Sequence, residues 1–145
     1  MRVLVSIDDT DNIDVEWGTG KLATMLAEAI EEKGWGSSEP VTRHQLLVHP
    51  DVPYTSHNSS MCFAAEIDPS RLEQLIDFAS NFLVKESAPG SDPGLCVVAV
   101  DHLARPGWLI AFGYSAKQEV LTKDYAYGLA EELKIHLSEH GGTGD

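Results

Sequence analysis

The first seven residues, Met1-Arg2-Val3-Leu4-Val5-Ser6-Ile7, make an apolar, β-branched run that stops at two carboxylates, Asp8 and Asp9. A run of that length between charged stops reads as a strand whose carboxyl end is a turn. The period then changes. From Thr19 to Lys33, Leu22, Met25, Leu26, Ala29 and Ile30 recur at helical spacing, with Gly34 as the stop. Gly36 to Pro40 reads as a loop, Val41 to Val48 as a second strand ended by Pro50, and Ser60 to Ile67 as a third. Asp68-Pro69-Ser70 opens a helix through Phe82, with Leu72, Leu75, Ile76, Ala79 and Leu83 on one face. Leu95 to Val100 is a fourth strand. Met25, Phe63, Phe78 and Phe82 fall at core positions, and Trp35 covers the core edge.

The order β-α-β-β-α-β belongs to the α+β class and is that of the ferredoxin-like plait. A short strand near Trp108 to Phe112 and a helix from about Lys123 to Glu139, capped by Thr122, extend it. The expectation is one domain over residues 1–145. It has a core of about 1–101, an extension of about 102–139 and a glycine-rich tail, 140–145, at which the sequence breaks off.

Ten basic against 23 acidic side chains give a net charge of -13. That balance repels phosphate backbones and argues against a free-standing nucleic-acid binder, although a bound cation can reverse the field locally for a nucleotide. Cys62 and Cys96 each lie in an apolar run without basic neighbours and read as buried free thiols of a reducing compartment. No basic segment leads into an apolar stretch at the start, and no run has the length of a membrane span; the expectation is a cytoplasmic protein.

Asp8, Asp9 and Asp11 put three carboxylates within four residues, with Thr10 and Asn12 between and after them. Their repulsion is relieved most simply by a hard cation such as Mg²⁺. The competing reading is an Asx-type turn before a helix. Trp17-Gly18-Thr19-Gly20-Lys21 could cradle a phosphate with its backbone amides, but the P-loop spacing is absent; the plainer alternative is a helix start capped by Thr19. The segment His49 to Ser59, with two prolines, is a polar loop, reached by a strand carrying Arg43 and His44. His44, His49 and His57 could act as bases or ligands if they converge, or serve as ordinary hydrogen-bonded histidines. A Ser-His-Asp hydrolase could be drawn on this loop, but it lacks a nucleophile elbow.

Residues Val5-Ser6-Ile7-Asp8-Asp9-Thr10-Asp11-Asn12, followed by a helix start with a threonine, resemble the opening of the archaeal tRNA-isoleucine agmatinylcytidine (agmatidine) synthetases. The segment His49-Pro50-Asp51-Val52-Pro53-Tyr54-Thr55-Ser56-His57-Asn58-Ser59 is similar to their second motif, and Asp92-Pro93-Gly94 is a softer match. Stand-alone bacterial proteins with the Asp-Asp-Thr-Asp start, the Gly-Thr-Gly helix start and a Val-Thr-Arg-His-Gln-Leu-Leu-Val strand resemble it more closely. The resemblance spans roughly residues 3 to 66. It implies a kinase-like region using ATP and Mg²⁺, with Asp8, Asp9 and Asp11 on the metal and Thr19 in a catalytic loop. Asn58 and the nearby hydroxyl of Ser59 would then approach the nucleotide. The chain lacks the OB-fold and zinc ribbon with which those synthetases hold tRNA, and where they have Met-Cys-Thr-Thr it has Trp17-Gly18-Thr19-Gly20.

The resulting expectation is a Mg²⁺-dependent, ATP- or nucleotide-using phosphotransfer or ligase-type enzyme acting on a small molecule. Asp8, Asp9, Asp11, Thr19 and His57 would be its catalytic residues. Thr10, Asn12, Gly18, Gly20, Lys21, Arg43, Asn58 and Ser59 would hold the nucleotide. The alternative is a non-catalytic small-ligand or metal-binding regulatory module of the same fold; a homodimer fits either.

Overall fold

The computed structural model describes residues 1–10, 18–47, 49–50, 59–103 and 105–141. Asp11, Asn12, Trp17, His57 and Asn58, and the tail beyond Gly141, lie outside the described residues. The elements in order are β1 (Arg2–Asp8), α1 (Thr19–Glu32), β2 (Gly36–Ser38), β3 (Thr42–Gln45), β4 (Ser59–Ile67), α2 (Leu72–Glu86), β5 (Gly94–Ala99), α3 (Pro106–Gln118), α4 (Lys123–Leu133) and β6 (His136–Glu139). The six strands form one antiparallel sheet in the order β2-β4-β1-β5-β6, with β3 continuing the β2 edge along β4. This is the expected plait, widened by β6.

β1 sits between β4 and β5 and sorts its side chains by the two-residue period of a strand. Val3, Val5 and Ile7 are 0–2% exposed and pack in one cluster with Leu22, Leu26 and Ile30 of α1 and Leu75 and Leu83 of α2. Leu4, Ser6 and Asp8 take the opposite face, toward α3 and α4. α1 stops where expected: Gly34 has φ 72°, and the Trp35 N–H returns to the Ile30 carbonyl at 3.0 Å. Trp35 meets Phe78 edge-on at 6.0 Å and closes the core edge.

Five expectations are corrected. Gly36–Ser38 is a strand, because β4 has nine residues and β3 pairs only with its first four; the pairs Gly36↔Ile67 to Ser38↔Ala65 take its last three. β3 is correspondingly shorter than Val41 to Val48. Met25 is 37% exposed, since the stripe Leu22, Leu26, Ile30, with Ala23 and Ala27, turns it away from the sheet. Trp108 to Phe112 lies in α3, not in a strand: a continuous apolar run carries no period, and Pro106 at the first turn favours a helix. The last helix ends at Leu133 instead of Glu139, and His136–Glu139 pairs with β5.

Thr122 caps α4 as expected, accepting from the Tyr125 N–H at 3.2 Å. The far end is turned by Lys134 at φ 58°, ψ 47°, a left-handed conformation that costs a residue with a side chain roughly 1–2 kcal/mol. Lys134→Gly should therefore raise stability by about 1 kcal/mol in urea unfolding, with an unchanged slope.

Candidate functional site

The carboxyl end of β1 is held by four bonds. The Gly94 N–H donates to Asp8 Oδ1 at 3.1 Å. The Asp92 N–H donates to the Asp9 carbonyl at 3.1 Å, and the Ala88 N–H to the Thr10 carbonyl at 2.8 Å. Thr10 Oγ1 donates to Thr19 Oγ1 at 2.9 Å, with Thr10 1% and Thr19 6% exposed. The chain leaves the sheet at Asp9, whose φ of 48° is a left-handed value that aspartate accepts more readily than most residues. The segment 88–94 thus clasps the strand end, and the buried hydroxyl pair ties it to the first turn of α1.

That turn begins at Gly18, the N-cap, which brings no capping side chain; Thr19 is the first helical residue and does not cap, contrary to one sequence reading. Its hydroxyl is turned to Thr10 instead. Gly20 faces Met61: a Cβ there would lie 3.7 Å from the Met61 sulfur. Met61 is in register with both Ile7 and Arg43, so Arg43 belongs to the face carrying α1. The Arg43 guanidinium donates to Gln45 Oε1 at 2.9 Å.

Asp8 belongs to the other face. In register across the sheet lie His44, Ser60, Asp8, Gly94 and Glu139, and one row further in, Thr42, Cys62, Ser6, Cys96 and Leu137. Asp8, His44, Ser60, Ser6 and both cysteines line a cavity of about 670 Å³ between the sheet and α3 and α4. Its other walls are apolar, among them Leu4, Val98, Leu109, Ile110, Ile135 and Leu137. Ser6 and Ser60 share a hydrogen bond of 2.6 Å, and His44 Nε2 meets Thr42 Oγ1 at 3.0 Å. At the rim, Lys123 donates to Glu139 at 2.6 Å, and the Tyr127 hydroxyl donates to the other Glu139 oxygen at 2.9 Å.

The residues singled out in sequence are therefore divided by the sheet. Thr19, Gly20 and Arg43 lie on the α1 face, and Asp8 and His44 open onto the cavity. Lys21 follows in the first turn of α1. Whether His44, His49 and His57 converge, a question the sequence leaves open, depends partly on residues outside the described ones. Sequence reasoning misses Ser6, Ser60, Gly94 and Glu139, although strand alternation places Ser6 beside Asp8. A Cβ at position 94 would stand 2.5 Å from Asp8 Oδ1, so only glycine leaves room for the carboxyl there.

Burial pushes the Asp8 carboxyl up from 3.8 to about 6; the Gly94 N–H opposes this, and the negative charges of Asp92 and Glu139 add to it. Burial raises the Cys62 thiol, and burial with the nearby Cys62 and Asp8 pushes Cys96 up to about 12. Both cysteines are free thiols and stay protonated at neutral pH, as apolar surroundings predict. Carboxylate oxygens suit a hard dication, and a dication would return Asp8 to its ionised form. Among the described residues no three His, Cys, Asp or Glu side chains form a metal-binding group. No helix is long and apolar enough to cross a membrane among the described residues.

No family model matches the chain, and comparison of its sequence with curated proteins gives no match. Solved structures do match. A tRNA fluorescent labeling enzyme is 26% identical over 99% of this chain and 34% of its own, with a TM-score of 0.78. TiaS in complex with an isoleucine tRNA and ATP is 25% identical over 97% of this chain and 33% of its own, also at 0.78. Apo TiaS, the agmatidine synthetase of that tRNA, shows the same fold at 24% identity and a TM-score of 0.74. The chain spans about a third of the length of these proteins. The resemblance seen in the motifs thus has a structural counterpart. That these neighbours act on or bind tRNA weighs against the expectation, drawn from net charge, that nucleic acid is no partner.

The half-buried Asp8 makes stability depend on pH with a definite sign. Its folded-state affinity for a proton exceeds the unfolded one, so the contribution is most favourable below 3.8, declines as pH rises to about 6, and is constant above. The gap amounts to roughly 3 kcal/mol. In metal-free buffer, Asp8→Asn should gain about that much relative to the native chain between pH 4 and 7. Paired urea titrations measure it; parallel curves would refute the burial argument.

Proposed function

We propose that this chain is the nucleotide-handling part of a phosphotransfer or ligase-type enzyme that uses ATP and Mg²⁺ on a small molecule. The observation that carries this reading is the clasped end of β1, where the segment 88–94 holds Asp8, Asp9 and Thr10 and the Thr10 hydroxyl ties the strand end to the first turn of α1. An α-helix start without a capping side chain offers its amides to an anion, and Lys21 and Arg43 add positive charge on that face. Asp8 and Asp9 would hold the magnesium, with Asp11 as a third ligand; bound there, the cation would offset phosphate charge. Gly18 and Gly20 keep backbone close to the phosphates, and Thr19, fixed by Thr10, stands as a positioned hydroxyl. Thr10, Asn12, Asn58 and Ser59 complete the nucleotide set, and His57 the catalytic one. The likeness to the ATP complex of TiaS supports the nucleotide. The cavity beyond Asp8 has the size and apolar lining of a small-molecule site, which also favours the non-catalytic ligand-binding module as a rival reading.

A second acceptor, tRNA, is favoured by what those neighbours bind, and opposed by a charge of -13. It would need further basic surface from elsewhere.

Thermal melts with Mg²⁺ and ATP, singly and together, test the proposal. At 100 times its dissociation constant a ligand adds about 2.7 kcal/mol. The expected result is a shift that needs both components and is absent from Asp8→Asn, together with ATP turnover lost in the same variant. Because that variant is itself stabilised, the ligand-induced shift is the quantity compared. A shift with metal alone and no turnover selects the binding module. No response to either ligand overturns the nucleotide reading. Retardation of tRNA in Mg²⁺ would select the second acceptor.

A further inference from the structure

Three side chains at the far edge of the sheet bond to one another and take no part in the site beside Asp8. His136 Nε2 meets the Ser138 hydroxyl at 2.8 Å, and the same hydroxyl meets His140 Nε2 at 2.7 Å. Strand alternation puts the three on one face of β6, the outer strand. Cross-strand register settles which face: His136 pairs with Val97 and Ser138 with Leu95, both part of the core under α1 and α2. Leu137, between them, lines the cavity on the opposite face. The His140 N–H donates to the Pro93 carbonyl at 2.8 Å, which fixes the backbone carrying the second ring. His136, Ser138 and His140 are all half-buried, so the relay has a side open to solvent.

Two imidazole nitrogens converging on one point, on a strand held in register, are a donor set for zinc, nickel or copper, whereas magnesium prefers oxygen. Imidazole ligates when neutral, and burial holds both rings below the usual histidine range; at His136 the charge of His140 adds to this and Asp77 on α2 opposes it. Zinc bonds an imidazole nitrogen at about 2.0–2.1 Å, so rotation of the Ser138 hydroxyl out of the gap and an advance of about 0.7 Å by each ring would seat the ion where the oxygen now lies. A net charge of -13 and the nearby Asp77 carboxylate favour a cation there. We propose that His136 and His140 bind one divalent transition-metal ion, zinc in the first instance, with its remaining coordination positions open on the solvent side. Two protein ligands make an exchangeable site, unlike a structural one closed by four. Its effect falls on β6, whose opposite face carries Glu139 at the rim of the cavity.

Calorimetric titration of the chelator-treated full chain with ZnCl₂ near neutral pH should show one equivalent bound, and excess Mg²⁺ should not displace it. His136→Ala and His140→Ala should each abolish the uptake while circular dichroism stays native. Ser138→Ala should keep it, and His102→Ala, at an exposed residue outside the relay, should leave it unchanged. With Cu²⁺ in place of zinc, electron paramagnetic resonance should show coupling to two imidazole nitrogens. One of them should be lost in His136→Gln, whose amide can still bond to Ser138. No zinc uptake by the native chain, uptake that survives either alanine substitution, or displacement by Mg²⁺ would each overturn the site.

Discussion

Everything in this structure turns on β1 being paired on both sides. A central antiparallel strand has no freedom to slip, because a shift by one residue would exchange Val3, Val5 and Ile7 with Leu4, Ser6 and Asp8. The first set closes the core with α1 and α2, and at about 25 cal/mol per Å² three such buried side chains contribute several kcal/mol, enough to fix the register. Asp8 is then committed to the opposite face whatever its own preference. Its desolvation follows from the apolar burial of its chain neighbour Ile7, and the Gly94 N–H offsets only part of that cost.

The same register decides which charges Asp8 feels. Read along the chain, Asp8 and Asp9 are neighbours; in space, the like charges that matter to Asp8 are Asp92 and Glu139, from β5's approach and β6. Asp9 turns out of the sheet in the left-handed region. A strand end that is clasped by 88–94 and bonded to α1 through Thr10 and Thr19 places carboxylates, helix amides and a buried hydroxyl pair within one turn of chain, on both sides of one sheet.

Much of this is legible in the sequence, and the failures have physical causes. Strands and helices with a clear period, such as β1, α1, β4, α2 and β5, stand within a few residues of where alternation and helical spacing put them, and Gly34 marks its stop. The extension after Val100 departs from its sequence reading at two points. Trp108 to Phe112 has no period at all, so a strand and a helix are equally consistent with it. The end of α4 carries Lys134 where a glycine would have announced the turn, and the helical reading therefore runs on through β6. Ser60 and Gly94 cannot be found as site residues from local sequence, because what brings them to Asp8 is cross-strand register with β4 and β5.

The second face of the sheet differs from the first in the quality of its cover. On the α1–α2 face, side chains of the core cluster are 0–7% exposed. On the other face α3 contributes no buried residue, stands off the strands over a cavity of about 670 Å³, and has one backbone tie to the β3 edge, the Leu47 N–H to the Ala116 carbonyl at 3.2 Å. Interiors normally close to crystal-like density, so this layer packs against the sheet less tightly than α1 and α2 do. The space it leaves beside Ser6 and Asp8 is therefore a property of the fold, set by a helix that meets the sheet loosely where α1 and α2 meet it closely.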